Sequence, residues 1–85
     1  MLDALYSNQS LKFLKKIDKQ LAGRIIQKIE SLQQDTSPTD VKVIEGYKEK
    51  LFRVRVGDYR ILFTLNHDKG FVGIVKIDKR SRVYK

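Results

Sequence analysis

The sequence predicts an α+β domain in the order β-α-α-β-β-β, with a helical hairpin packed on one face of a mostly antiparallel sheet. Three observations predict it. Apolar residues recur every three or four positions between Leu11 and Leu32, the period of amphipathic helices. From Leu51 the period drops to two, the pattern of half-buried strands. Gly57-Asp58 separates two such runs by two residues, the spacing of a tight hairpin with a type II′ turn.

Leu2 to Tyr6 is a short apolar stretch followed by Ser7-Asn8, which reads as a strand running into a helix cap. Leu11, Leu14, Ile17 and Leu21 follow at helical spacing, with Lys12, Lys15, Lys16 and Lys19 between them. The plain reading of those lysines is a solvated helix face. Asp18 is a candidate N-cap for a second helix carrying Leu21, Ile25, Ile29 and Leu32. The two helices make an αα-hairpin with a very tight connection. Gly23 weakens the second helix slightly, and close packing is one reason to keep it there. Asp35-Thr36-Ser37-Pro38-Thr39-Asp40 ends that helix and opens a loop expected to run to about Lys50. Leu51 to Val56, Tyr59 to Leu65 and Phe71 to Ile77 are the remaining strands. Asn66 to Gly70 is a turn, and Asp78 to Lys85 is a basic tail.

The hairpin turn fixes a register. Val56 faces Tyr59, Arg55 faces Arg60, Arg53 faces Leu62, and Phe52 faces Phe63. One face then carries Phe52, Val54, Val56, Tyr59, Ile61 and Phe63 and packs on the helices. The other carries Arg53, Arg55 and Arg60. Like charges directly opposite each other destabilise a sheet. Such local conflicts are expected at functional sites. Asp58, the nearest acid in the segment, sits in the turn, so the Arg55–Arg60 pair lacks an obvious counter-ion. The bland alternative is three solvated arginines screened by salt. The sharper one is an anion-binding face, since a guanidinium fork donates two hydrogen bonds to a phosphate. The tail adds Lys79, Arg80, Arg82, Tyr84 and Lys85. It reads either as a frayed terminus or as a basic arm reaching that face.

Bulk composition narrows the function. The chain of 85 residues is expected to be one domain, 1–85. With 18 Lys+Arg against 10 Asp+Glu, its net charge of +8 favours a polyanionic partner. No apolar run approaches the ~18 residues needed to span a membrane. Met1 to Tyr6 lacks the regions of a signal peptide, so the cytoplasm is the expected compartment. Without Cys, and with His67 as the one His, a zinc site is not expected, and neither is a cofactor. His67 falls in a turn and reads as a surface residue.

The segment Leu51-Phe52-Arg53-Val54-Arg55-Val56-Gly57-Asp58-Tyr59-Arg60-Ile61-Leu62-Phe63 resembles the central signature of the RelE/ParE toxin superfamily. Leu11 to Asp18 resembles that family's first helix, and Lys79-Arg80-Ser81-Arg82-Val83-Tyr84 resembles its closing motif. The resemblance runs from about Leu2 to Tyr84. It implies the toxin of a type II toxin–antitoxin system, bound by an acidic, partly disordered, RelB-like antitoxin in a hetero-oligomer. RelE-type members enter the ribosomal A site and cut mRNA there without a metal: the 2′-hydroxyl attacks the adjacent phosphate and the 5′-oxygen leaves. Carried over by position, the catalytic candidates are Arg55, Arg60, Arg80 and Tyr84, and the RNA-binding candidates are Arg53, Arg55, Lys79 and Arg82. Arg60 and Arg80 would clamp the scissile phosphate. Arg53 and Arg55 would orient the mRNA. Tyr84 would stack on a base or move a proton.

The chain departs from the best-studied RelE-type pattern at Arg53 and Arg55, where that pattern has lysines. An arginine keeps its proton, so neither can be a general base. Acid–base work would fall to Tyr84 or Lys79, or positioning and electrostatics would carry the catalysis. The family's C-terminal helix, present in some relatives after the tyrosine, has no counterpart before Lys85. Little activity on naked RNA is expected. The competing readings are a ParE-type inhibitor of DNA gyrase, a catalytically weak relative acting by binding, and a generic nucleic-acid-binding domain. An apolar groove left by a small core, with the +8 charge, is expected to accept an acidic amphipathic helix.

Overall fold

The computed structural model describes residues 1–34, 41–44, 46 and 50–83. In chain order they form β1 (Asp3–Tyr6), α1 (Asn8–Lys16), α2 (Lys19–Gln33), β2 (Lys42–Ile44), β3 (Leu51–Val56), β4 (Tyr59–Asn66) and β5 (Phe71–Lys79). The strands make one five-stranded sheet ordered β1-β5-β4-β3-β2. β1 runs parallel to β5, and the other neighbouring pairs are antiparallel.

The segment expected to be a loop as far as Lys50 contains an additional strand, β2. Lys42-Val43-Ile44 is too short to display a period. Its conformation comes from pairing with Arg53, Phe52 and Leu51 of β3 rather than from its own pattern. β5 also runs two residues beyond the expected Ile77, so Asp78 and Lys79 belong to the sheet and not to the tail.

Both helix starts follow the chemistry expected of them. The Ser7 hydroxyl accepts the Ser10 N–H at 3.1 Å, and the Asp18 carboxylate accepts the Leu21 N–H at 3.0 Å. Ile17 and Asp18 are the whole connection between the helices. The core lies between α2 and one face of the sheet. Ile25, Ile29 and Leu32 pack on Val54, Val56, Ile61, Phe63, Val72, Ile74 and Ile77. Phe52 stacks on Phe63, and Tyr59 meets the edge of Phe13 with ring centroids 5.7 Å apart. Gly23 is exposed, and a Cβ there would meet nothing within 4 Å, so close packing does not explain this glycine.

β1 covers β5 only from Phe71 to Ile74. Beyond that point the start of α1 takes over. The Ser7 hydroxyl donates to the Val75 carbonyl at 2.7 Å. The Gln9 amide donates to the Ile77 carbonyl at 2.7 Å and accepts the Ile77 N–H at 2.9 Å. Side chains thus satisfy a strand edge that would otherwise template association with another chain. Burial, and then the charge of Glu30, raise the Tyr6 hydroxyl above its ordinary 10.0. The folded form therefore holds that proton more tightly, and this contribution to stability is lost as pH rises through the raised value.

Gly73 faces Thr64 across the β4–β5 ladder, and a Cβ at Gly73 would stand 2.8 Å from the Thr64 Oγ1. Gly73→Ala is expected to destabilise the fold by about 1–3 kcal/mol through overpacking. Urea denaturation of Gly73→Ala with and without Thr64→Ala checks this, since the second change removes the obstructing atom. Equal losses in both backgrounds would refute the steric cause.

Candidate functional site

The β3–β4 hairpin has the expected register, with Arg55 opposite Arg60 and Val56 opposite Tyr59. Gly57 opens the turn at φ 58°, a left-handed conformation that favours glycine. The three strand arginines share the face turned away from the helices, but they are not equivalent. Arg55 is exposed, Arg53 is half-buried, and Arg60 retains 4% of its accessible surface. The Arg60 Nη1 donates to the carbonyls of Gly57 at 3.4 Å and Tyr59 at 3.2 Å. Arg60 is therefore drawn into the hairpin turn and helps to hold it. The expectation of a pair without a nearby acid is corrected by β5. Asp78 stands in register with Arg60 on the opposite side from Arg55. The extra length of β5 moves that acid out of the tail and into the ladder.

The tail is built into the fold through Val83. The Arg80 N–H donates to the Asp58 carbonyl at 2.8 Å, clipping the chain to the hairpin turn. The N–H groups of Arg82 and Val83 then converge on the Lys79 carbonyl at 2.9 and 3.0 Å. This tight turn folds Val83 back onto the outer face, where it is 1% exposed against Leu51 and Leu62, with Ile44 alongside. The Lys76 ammonium meets the Arg82 carbonyl at 3.5 Å. The alternative of a frayed terminus does not hold as far as Val83. The expectation for Tyr84 lies outside the described residues.

These contacts set the positions of the remaining candidates. Arg80 and Arg82 are exposed on the turn. A depression of about 380 Å³ beside the hairpin turn is lined by Asp58, Lys79, Arg80 and Ser81. Lys79 is in register with Tyr59 and so leaves β5 on the side opposite Arg53 and Arg55. The structure therefore gathers Arg55, Arg60 and Arg80 around Gly57-Asp58 and sets Lys79 at the rim. His67 is exposed in the β4–β5 turn. Among the described residues, no three His, Cys, Asp or Glu side chains converge in a way that could hold a metal ion.

Sequence reasoning passed over Arg24 and Lys28. With Gln27 and Ser31 they line a second depression, of about 350 Å³, closed on its other side by Arg55 and Gly57. The available signal was their four-residue spacing, which puts both cations on one stripe of α2. Chemically, the assembly offers exposed guanidinium donors around one turn, with the buried Arg60 held beneath them. Such an array can orient phosphates and stabilise charge developing on them.

A family model described as the ParE toxin of type II toxin–antitoxin systems, parDE, matches residues 4–84. No curated protein matches the chain. Among solved structures, a chain of the archaeal RelE–RelB complex from Pyrococcus horikoshii OT3 is 27% identical, with a TM-score of 0.80 over 96% of this chain and 98% of that one. A chain of the RelB–RelE antitoxin–toxin complex from Methanococcus jannaschii is 29% identical, with a TM-score of 0.72 over 95% of each chain. The isolated E. coli RelE toxin, at 17% identity, has the same fold, with a TM-score of 0.78 over 99% of this chain and 92% of that one.

Proposed function

The chain belongs to the ParE toxin family of type II toxin–antitoxin systems, within the RelE/ParE superfamily, and from that premise we propose that it is a ribosome-dependent endoribonuclease cutting mRNA in the A site. The observation that carries the reading is the clip between Arg80 and Asp58, which brings the tail against the hairpin that holds Arg55 and Arg60. In this reading the ribose 2′-oxygen forms a bond to the adjacent phosphorus while the bond to the 5′-oxygen breaks. A cyclic phosphate and a 5′-hydroxyl result, and the 2′-hydroxyl proton ends on the leaving oxygen.

The exposed Arg80 contacts the scissile phosphate directly, and Arg60 forms the floor of the site and sets the turn. Together they stabilise charge developing on the phosphoryl oxygens. Arg53, Arg55 and Arg82 bind flanking backbone, and Lys79 contributes charge at the rim. Tyr84 is assigned to stacking or proton transfer. The chain acts in the cytoplasm as one domain, and an acidic RelB-like antitoxin restrains it. The RelE–RelB complexes of the archaeal relatives support such a partner. No helix among the described residues is long and apolar enough to cross a membrane.

Gyrase inhibition is the second reading. The ParE description of the matching family favours it, as does the presence on β3 of Arg53 and Arg55, which keep their protons and cannot act as general bases. Two assays run side by side separate the readings: primer extension on mRNA in reconstituted translation, and supercoiling by purified gyrase. Cuts within the A-site codon with undisturbed supercoiling are expected. Inhibited supercoiling with intact mRNA would transfer the function to gyrase.

A further inference from the structure

We propose that the Asp58 carboxylate is the general base of the reaction, taking the proton of the ribose 2′-hydroxyl beside the Arg80 guanidinium. The inference deepens the nuclease reading and rests on it. Read in the sequence, Asp58 is the acid of a hairpin turn. Its place in the fold puts it at the site. One step beyond the Tyr59–Lys79 pair of the β4–β5 ladder, the Arg80 N–H donates to the Asp58 carbonyl at 2.8 Å. The two residues thus leave adjoining backbone. Their side chains line one depression of about 380 Å³ together with Lys79 and Ser81. Asp58 is exposed there, within reach of whatever Arg80 binds.

The mixture of groups in that depression suits proton transfer. The Lys79 ammonium and the Arg80 guanidinium donate to a phosphate, whereas a carboxylate accepts. Its negative charge repels the anion that those two cations attract. A group that opposes binding of the substrate, yet stands where the phosphate is held, fits a role in the chemical step. The guanidinium groups keep their protons and supply charge. As the 2′-oxygen bonds to phosphorus, its proton passes to an Asp58 carboxylate oxygen. The bond to the 5′-oxygen breaks, and that oxygen takes a proton from the Lys79 ammonium. Asp58 then returns its proton to Lys79 through water. One proton has moved from the 2′-oxygen to the 5′-oxygen, and both side chains are restored.

The test is single-turnover cleavage of mRNA in reconstituted translation, titrated with wild-type toxin, Asp58→Asn, Asp58→Ala and Asp68→Asn. Asparagine is at home in turns and keeps the size of the side chain, so Asp58→Asn is expected to melt like wild type by circular dichroism. Its rate at saturating toxin is expected to fall at least a hundredfold, about the scale for losing a general base. The toxin concentration that gives half that rate should stay the same or fall, because a repulsive charge has gone. Asp68→Asn removes an exposed acid from the β4–β5 turn and is expected to cut like wild type. Formate added to Asp58→Ala supplies a carboxylate at the emptied position. It is expected to restore part of the rate and to leave wild type unchanged. A folded Asp58→Asn that cuts at the wild-type rate, or whose loss lies wholly in affinity, would overturn the proposal. So would a loss in Asp58→Ala that formate does not move, which would make Asp58 a residue of the turn alone. If Asp58→Asn unfolds, the formate experiment decides. Equal cutting by wild type and Asp58→Asn sinks the base alone. A wild type that cuts nothing sinks the nuclease reading and the base with it.

Discussion

Arg80→Ala is expected to lower A-site cleavage by about 10²–10³-fold, the scale for losing one donor aimed at developing charge. Its stability should stay within about 0.5 kcal/mol of wild type, because the side chain is exposed and the clip to Asp58 uses the backbone N–H. Arg60→Ala separates from it in kind. Arg60 is nearly fully buried and donates to the carbonyls of Gly57 and Tyr59. Its removal deletes packing along the aliphatic stem and takes the guanidinium donor away from those acceptors. A loss of about 2–3 kcal/mol is expected on that account, with cleavage falling at least as far as in Arg80→Ala. Denaturant titration and primer extension on both variants check the split. Equal destabilisation by the two changes would contradict the division of labour between an exposed contact and a buried support.

Val83→Asp is expected to weaken cleavage about as much as Arg80→Ala, although the Val83 side chain faces no solvent and binds no RNA. Val83 is the anchor of the turn that carries Arg80, Ser81 and Arg82, and it sits against Leu51 and Leu62. A carboxylate at that position is costly to bury, so the turn swings out into water. The stability cost is then about 2 kcal/mol, close to the value of burying one valine. Val83→Ile keeps an apolar anchor and should keep most of the activity. The informative readout is the amide hydrogen exchange of Arg82 and Val83, whose N–H groups donate to the Lys79 carbonyl. Fast exchange at both with full cleavage would mean that the turn does not position the site.

The core of the fold was legible because its signals are local. The turn at Gly57-Asp58 fixed the Arg55–Arg60 pairing, and Ser7 and Asp18 marked both helix starts. What escaped were features created by pairing at a distance. Lys42–Ile44 is strand only because β3 lies beside it. Gln9 looks like any exposed helix residue until its amide closes the ladder at Ile77. The site was half legible for the same reason. Alternation placed Arg53, Arg55 and Arg60 on one face, but depth depends on the neighbouring strand and the tail. Arg60 is buried where Asp78 stands beside it in the ladder, while Arg55 remains open. Val83 carried no signal as an anchor, because its partners Leu51 and Leu62 belong to other strands. Arg24 and Lys28 look ordinary on a helix read alone and become part of a depression only once β3 brings Arg55 to them.

The most direct measurement uses an mRNA carrying a single 2′-deoxynucleotide at the position cut in the A-site codon, in reconstituted translation with purified toxin. The deoxy substitution is expected to block cleavage there. The all-ribose message should yield a 2′,3′-cyclic phosphate and a 5′-hydroxyl, and only with ribosomes present. Cutting at the deoxy position, or no cutting of the all-ribose message by a protein that still arrests growth, would contradict the 2′-hydroxyl mechanism and the ribosome-dependent nuclease with it.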